Sequence, residues 1–235
     1  MKSFIKKLPF GLGNTITDLS KVVIGYGQVH YSQNGEDIIL KSLFKNKPRG
    51  FYVDVGAHHP ERYSNTFLLY KKGWCGINID ANPDAIKLLN KARPIDINIE
   101  AGIGESKDTL TYHMFQDSAV NTFSEAEAKK WRLSSWNKYL GNKIIKLSSI
   151  NTILENNLPL ETNIDLLTID VEGLDLAVIQ DLDWRKYNPS VVIVEDTNFD
   201  FEKMTDSKAY SLLRINGYKL YSVVKFSLIF IKESY

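Results

Sequence analysis

Residues 51–80 read FYVDVGAHHPERYSNTFLLYKKGWCGINID, and this stretch decides the fold. Phe51-Tyr52-Val53-Asp54-Val55 is a β-rich run that stops at Gly56-Ala57. Ser64 and Asn65 supply cap chemistry for a short helix carrying Phe67, Leu68 and Leu69, which ends near Lys72-Gly73. A second strand follows from Trp74 to Ile79 and closes on Asp80. Strand, turn, helix and strand, with an acid at each strand end, make half of a nucleotide-binding α/β unit. Its ligand lies across the carboxyl ends of the strands.

Downstream, the alternation continues. Asn82-Pro83 starts a helix with Ala85, Ile86, Leu88 and Leu89, and residues 96–100 read as a third strand ending in the small-residue turn Ala101-Gly102-Ile103-Gly104. Thr109 to Phe115 alternates like an edge strand. Residues 116–140 read as a loop and helix insertion, in which Trp131 and Trp136 are expected in the core rather than stacked on a sugar. A short strand at Lys143 to Leu147 precedes a helix at Ser149 to Asn156. Ile164 to Asp170 is a continuous apolar run of the kind buried on both faces of a parallel sheet, and residues 189–194 form another, ending in Glu195-Asp196. The runs Lys219 to Val224 and Phe226 to Lys232 are too close for a parallel crossover and must form a hairpin. The expected fold is therefore three-layer α/β.

Upstream, Tyr31-Ser32-Gln33-Asn34-Gly35-Glu36-Asp37 leads into a helix, with Ser32 or Asn34 as its cap. Residues 1–30 read as an N-terminal appendage, used either as a lid over the site or for self-association into a homo-oligomer.

Length and composition set outer bounds. The 235 residues fit one generous α/β domain, and 43% hydrophobic with 24% charged residues is an ordinary globular composition. A net charge of +1 gives no footprint for a polyanion, so no nucleic-acid partner is expected. Cys75 is the single cysteine, which excludes an internal disulfide and fits a reducing compartment. No run is apolar enough to span a membrane. The basic N-terminus lacks the apolar core of a signal peptide because Pro9, Gly11, Gly13 and Asn14 interrupt it, so a cytoplasmic protein is expected.

The ligand class follows from what the turn after Gly56 lacks. A dinucleotide fingerprint needs further glycines at 58 and 61, where this chain has His58 and Glu61, and Pro60 removes a backbone donor. S-adenosylmethionine (SAM) carries no phosphate, and its cationic sulfonium and ammonium groups suit an acid-lined crevice. Asp80, 24 positions after Gly56, is placed to accept hydrogen bonds from both ribose hydroxyls.

The stretches YSQNGEDIIL, FYVDVGAHHPERYSNT, GINIDANP, Asp117-Ser118 with Asn121-Thr122-Phe123, IDLLTIDVEGLDLAVIQ and VVIVED resemble the FkbM family of SAM-dependent methyltransferases. The resemblance runs from about Tyr31 to the C-terminus. It implies a methyltransferase domain over 31–235, with a Rossmann-like, mostly parallel seven-stranded sheet and an antiparallel C-terminal hairpin strand. It further implies methyl transfer, usually to a hydroxyl of a sugar or other small molecule. By position, Asp54, Gly56, Ala57 and His58 would line the methionine portion of SAM, with Asp170 nearby. Asp80 and Ala81 would meet the ribose, Ala101, Gly102 and Ile103 would flank adenine, and Asp117 or Ser118 would lie at its edge.

Asp170 and Glu172 end one strand, and Glu195 and Asp196 end the next. Converging carboxylates call for a proton or a cation among them, and hard oxygen ligands favour Mg²⁺ or another divalent ion. Asp170, Glu195 and Asp196 match the ligand pattern of metal-dependent sugar O-methyltransferases. The catalytic histidine that follows the first metal Asp in those enzymes is absent here; the chain has Val171-Glu172-Gly173-Leu174. His58, His59, Glu172 and Asp170 stand as candidate acid–base groups, and Tyr31, Gln33, Glu36 and His59 as candidate acceptor contacts. The expected activity is SAM-dependent O-methylation of a small glycosidic or natural-product acceptor. The rivals are N-methylation, methylation of a macromolecule and catalytically silent SAM binding. Asn188-Pro189-Ser190 departs from the Asn-Pro-Pro-Tyr clamp of nucleobase methylation, and the missing glycines disfavour an NAD oxidoreductase.

Overall fold

The structure is a computed structural model that describes residues 27–104, 109–171 and 173–234. Most of the expected N-terminal appendage, residues 1–26, and Glu172 lie outside the described residues. The chain runs α1 (Glu36–Leu43), β1 (Phe51–Val55), α2 (Phe67–Tyr70), β2 (Cys75–Asp80), α3 (Pro83–Ala92) and β3 (Ile97–Glu100). It continues through β4 (Gly102–Ile103), β5 (Thr109–Phe115), a 3₁₀ turn at Ser118–Val120, α4 (Glu125–Arg132) and β6 (Tyr139–Ser148). Then come α5 (Ile150–Asn157), β7 (Leu166–Ile169), α6 (Asp175–Asp181) and β8 (Val191–Glu195). A 3₁₀ turn at Phe201–Asp206, α7 (Lys208–Ile215), β9 (Tyr218–Val224) and β10 (Ser227–Lys232) complete it.

The main sheet has seven strands in the order β3-β2-β1-β7-β8-β10-β9. β1 pairs in parallel with both β2 and β7, and only β10 runs against its neighbours β8 and β9. The expected mostly parallel sheet with a reversed hairpin strand is what forms. The order reverses between β1 and β7, which opens a crevice above their carboxyl ends.

Period-two alternation divides the core. Val53, Val55, Ile77, Ile79, Leu167, Ile169, Val192 and Val194 face one layer, where Ile150, Ile153 and Leu154 of α5, Val178 and Ile179 of α6 and Leu213 of α7 cover them. Tyr52, Leu166, Val191, Ile193 and Ile229 face the other, under Leu40 of α1 and Leu69 of α2. The three layers follow from strands that are apolar on both faces. Asn82 caps α3 by accepting from the Asp84 amide at 3.1 Å, with Pro83 fixing the first turn. Ser64, one of the two expected caps of α2, accepts from the amides of Thr66 (3.3 Å) and Phe67 (3.1 Å).

The second sheet is small, in the order β4-β6-β5. The strand expected at 143–147 is longer than read: β6 spans ten residues, Tyr139–Ser148, and pairs antiparallel along β5. Gly141 and Asn142 weaken its strand signal, and Leu140 and Ile144 lie on its solvent face, so periodicity hid its first half. The insertion is thus the long connection of a β5–β6 hairpin. Trp136 departs from its expected core position, being 61% exposed. No helix among the described residues is long and apolar enough to cross a membrane.

Candidate active site

A cleft opens over the carboxyl ends of β1, β2, β7 and β8, walled on one side by the loop before α1 and on the other by the 3₁₀ turn of the insertion. The backbone beneath it is tightly set. Gly56 has φ 87°, and a Cβ there would lie 1.7 Å from the Asp170 carbonyl oxygen. The amides of Gly56 and Ala57 both donate to the Ile79 carbonyl, at 2.8 and 3.1 Å, so neither is offered to a ligand as a phosphate-binding turn would offer it.

Asp80 lines the cleft at the end of β2. Its Oδ2 accepts from the His58 amide at 2.8 Å and its Oδ1 from the Asn82 amide at 2.7 Å. Burial pushes its carboxyl up to about 6, against those two hydrogen bonds. Beside it Ala81, Ala101, Gly102 and Ile103 form a low wall, and Ser118 also lines the cleft. Of the two residues expected at the adenine edge, Ser118 lines the cleft. Asp117 instead forms a 2.7 Å ion pair with Arg62 and caps the 3₁₀ turn through the Ala119 amide. The Arg62 hydrogen bond holds the Asp117 carboxyl below the usual range.

Several of the expected residues do not reach the cleft. Asp54 shares the face of Tyr52, beneath α2, so its side chain is buried and accepts from Thr66 Oγ1 at 2.7 Å. Burial raises its carboxyl to about 6. Ala57 packs with Ile86 and Leu89 of α3. Glu195 and Asp196 are consecutive and point apart: Glu195 lines the cleft, whereas Asp196 accepts from the Ser207 hydroxyl (2.6 Å) and the Asn198 amide (3.0 Å). The expected metal trio of Asp170, Glu195 and Asp196 therefore does not converge. Among the described residues no three His, Cys, Asp or Glu side chains are grouped to hold a metal ion. This donor set does not fit a divalent cation.

At the β7–β8 end the cleft is acidic. Asp170, Glu195 and Glu36 line it with Gln33, Asn65 and Ser227. Glu36 is buried, accepting from the Asn34 amide at 2.9 Å and from Ser227 Oγ at 3.0 Å. Burial first, then the charge of Asp175, raises the Glu195 carboxyl above its ordinary value. Among the described residues lining the cleft there is no Lys or Arg.

The two histidines separate. His58 lines the cleft in a left-handed conformation (φ 52°), and its Nε2 has no hydrogen-bond partner among the described residues. Burial, then the charges of Arg62 and His59, lowers its pKa to about 4, so it is neutral at pH 7. His59 does not line the cleft; its Nδ1 accepts from the amides of Glu61 (3.0 Å) and Arg62 (2.9 Å) and so shapes the turn. Tyr31 also stays outside, with its ring edge-on to Phe67 at 4.7 Å and its hydroxyl accepting from Lys71 at 2.7 Å.

Sequence reasoning missed Arg93. It is fully buried and donates to the Pro60 carbonyl (2.9 Å from Nε), Ser64 Oγ (2.7 Å) and Thr66 Oγ1 (2.8 Å). It thereby pins the loop that carries His58, Tyr63 and Asn65 into the cleft. Tyr63, Tyr112, Asn121, Phe123 and Ser227 were likewise not read as lining residues. Ser227 had no local signal, because a hairpin on the far side of the sequence delivers it.

A search of the curated proteins finds no match. Among solved structures, the chain is similar to a TehB-like SAM-dependent methyltransferase from Corynebacterium glutamicum, at 12% identity and a TM-score of 0.40, over 93% of this chain and 96% of that one. The family model of the methyltransferase FkbM domain matches residues 54–220, well over half of the chain. That span starts within β1, takes in the ends of β2, β7 and β8, and stops in β9, so it contains most of the cleft. The chain belongs to the FkbM methyltransferases, and it is a SAM-dependent enzyme.

Proposed function

We propose that the enzyme methylates a hydroxyl of a small, uncharged acceptor, a sugar or a related natural product. One observation carries this reading: the two ends of the cleft differ in chemistry. The β2 end joins a partly satisfied carboxylate, Asp80, to the low wall of Ala101 and Gly102, which suits a ribose diol and a flat base. The β7–β8 end offers carboxylates and amide groups without a Lys or Arg among its described lining, which suits hydroxyl donors and repels phosphorylated acceptors.

Bound SAM supplies an electrophilic methyl on a sulfonium, open to in-line displacement by the acceptor oxygen. Gly56 keeps the β1 turn low enough for that group to sit against the strand ends. Asp170 and Glu195 hold the acceptor hydroxyl through hydrogen bonds and favour the cationic centre beside it. Glu195, its carboxyl raised by burial and by neighbouring acids, is our choice to accept the hydroxyl proton, with neutral His58 as a hydrogen-bond acceptor in the wall. Most of the acceleration then comes from proximity. No step is routed through a metal, because Asp196 turns away from Asp170 and Glu195.

N-methylation is the second reading, favoured by the same acidic lining, which would also attract an ammonium. Calorimetric titration with S-adenosylhomocysteine and with NAD, each with Mg²⁺ and with chelator, tests the cofactor half. Binding of S-adenosylhomocysteine alone, indifferent to chelation, is expected; NAD binding in its place would overturn the reading. Turnover with neutral glycosides against their amino-sugar analogues then separates O- from N-transfer.

A further inference from the structure

Arg62 and Asp117, 55 positions apart in the chain, meet in a 2.7 Å ion pair that the cleft chemistry does not use. Each belongs to a different wall of the cleft. Arg62 lies in the loop after β1, which is tied to Asp80 by the His58 amide and carries His58, Tyr63 and Asn65 into the lining. Asp117 caps the 3₁₀ turn of the insertion, whose Ser118 and Ala119 line the cleft. Ser118 also lines a second, more open depression bounded by Arg62, Gln116 and Asp117, so the pair stands where the cleft meets that depression.

Both partners are anchored on their own side. Asp117 Oδ1 accepts from the Ala119 amide at 3.2 Å, and the Asp117 amide donates to Oδ1 of buried Asn137 at 2.9 Å. The Arg62 amide donates to His59 Nδ1 at 2.9 Å, and its guanidinium lies 4.6 Å from the centroid of the Tyr63 ring. The bond between them therefore joins wall to wall. The loop it holds is strained: His58 (φ 52°) and Tyr63 (φ 59°) both adopt the left-handed region, which bulky residues rarely occupy. Such strain persists only where the surroundings impose it. Arg93 holds this loop on its buried side, and Arg62 holds it at the mouth. The pair is exposed, with 45% of the Arg62 and 28% of the Asp117 side chain open to solvent, so it is weak and screened by salt. A bond of that kind opens and recloses readily, which a permanent brace would not.

We propose that Arg62 and Asp117 form a clasp that draws the two walls together over the β2 end of the cleft and gates the exchange of SAM and S-adenosylhomocysteine. The clasp rests on the reading that the cofactor occupies that end.

The on- and off-rates of S-adenosylhomocysteine, followed by surface plasmon resonance on the full chain at low and high NaCl, provide the test. The variants are R62Q, D117N, their combination, and Asp80→Ala as the control for cofactor placement. D117N keeps an oxygen for the Ala119 amide and loses only the charge. A gate changes entry and exit together, so each single variant should raise both rates about three- to fivefold, the scale of one exposed ion pair, with affinity changed less than about twofold. The double variant should exchange no faster than either single one. Salt should speed exchange in the parent and not in the variants, a response that a merely structural role would not give. Unchanged rates in R62Q and D117N, with Asp80→Ala still weakening binding, would overturn the clasp and leave the cofactor placement standing. Affinity that falls in step with the off-rate would make the pair a ligand contact and overturn the gate. Parent-like binding by Asp80→Ala would remove the placement, and the clasp with it.

Discussion

The two ends of the cleft are built differently. At the β2 end, each oxygen of Asp80 holds a backbone amide, the β1 turn is bonded to Ile79, and Arg93 pins the following loop from below. At the β7–β8 end, the lining side chains arrive from the loop before α1, from β8 and from the C-terminal hairpin; the antiparallel ladder joins β8 to β10, and Glu36 with Ser227 ties the loop before α1 to that hairpin. The first end is preorganised and the second assembled. Under the proposed assignment that division suits an enzyme that meets one cofactor but a particular acceptor, because the contacts at the β2 end are fixed while those at the β7–β8 end change one segment at a time.

Removing the support under the β2 end should break the contrast most strongly. Arg93→Met removes its hydrogen bonds to Pro60, Ser64 and Thr66 and the positive charge that favours the ionised forms of the buried Asp54 and Asp96, and a loss of about 3–5 kcal/mol of stability is expected in chemical denaturation. A loss under about 1 kcal/mol would mean that the loop is held by other contacts.

A pH dependence should follow from the same burial. The folded-state carboxyl of Asp80 is raised from 3.8 to about 6, so the native state prefers its protonated form. Its contribution to stability is full below 3.8 and is lost as pH rises through about 6. Relative to the parent, apo Asp80→Asn should therefore gain stability progressively between those values, by on the order of 1–3 kcal/mol. A flat difference across that window would remove the burial cost from the account. Asp80→Ala should weaken S-adenosylhomocysteine by roughly tenfold to a hundredfold, the equivalent of one or two hydrogen bonds to a charged group. Unchanged affinity in calorimetry would contradict the ribose role.

The smallest effects should separate neighbours at the assembled end. Glu195→Gln is expected to slow turnover with S-adenosylhomocysteine affinity intact. Asp196→Asn, outside the cleft, should leave turnover near the parent value and cost about 1 kcal/mol through its contact with Ser207 at the start of α7. Equal losses of turnover in the two variants would join Asp196 to the site.

The sequence disclosed the scaffold better than the direction of its side chains. β1, β7 and β8 were legible because strands covered on both faces are apolar throughout, and the place of Asp80 at the cleft because it terminates such a strand. Asp54 and Asp196 were misread for one reason: a strand end of known position still sends alternate side chains to opposite faces, and only pairing with the neighbouring strands fixes which. β6 was half hidden because part of its outer face is apolar. Trp136 looked like a core residue because tryptophan usually is one. Arg93 gave no signal at all, since a basic residue closing a helix is ordinary, and its partners lie about thirty positions earlier.

The contact between Gly56 and the Asp170 carbonyl has a mechanical consequence. With no room for even a methyl group, the ends of β1 and β7 form an incompressible joint rather than a soft one. The β1 turn packed against the β7 end carries His58, whose amide donates to Asp80, so under the proposed assignment a displacement of the β7 end is expected to reach Asp80. With the cofactor and acceptor placed as proposed, acceptor binding is expected to register in the off-rate of S-adenosylhomocysteine.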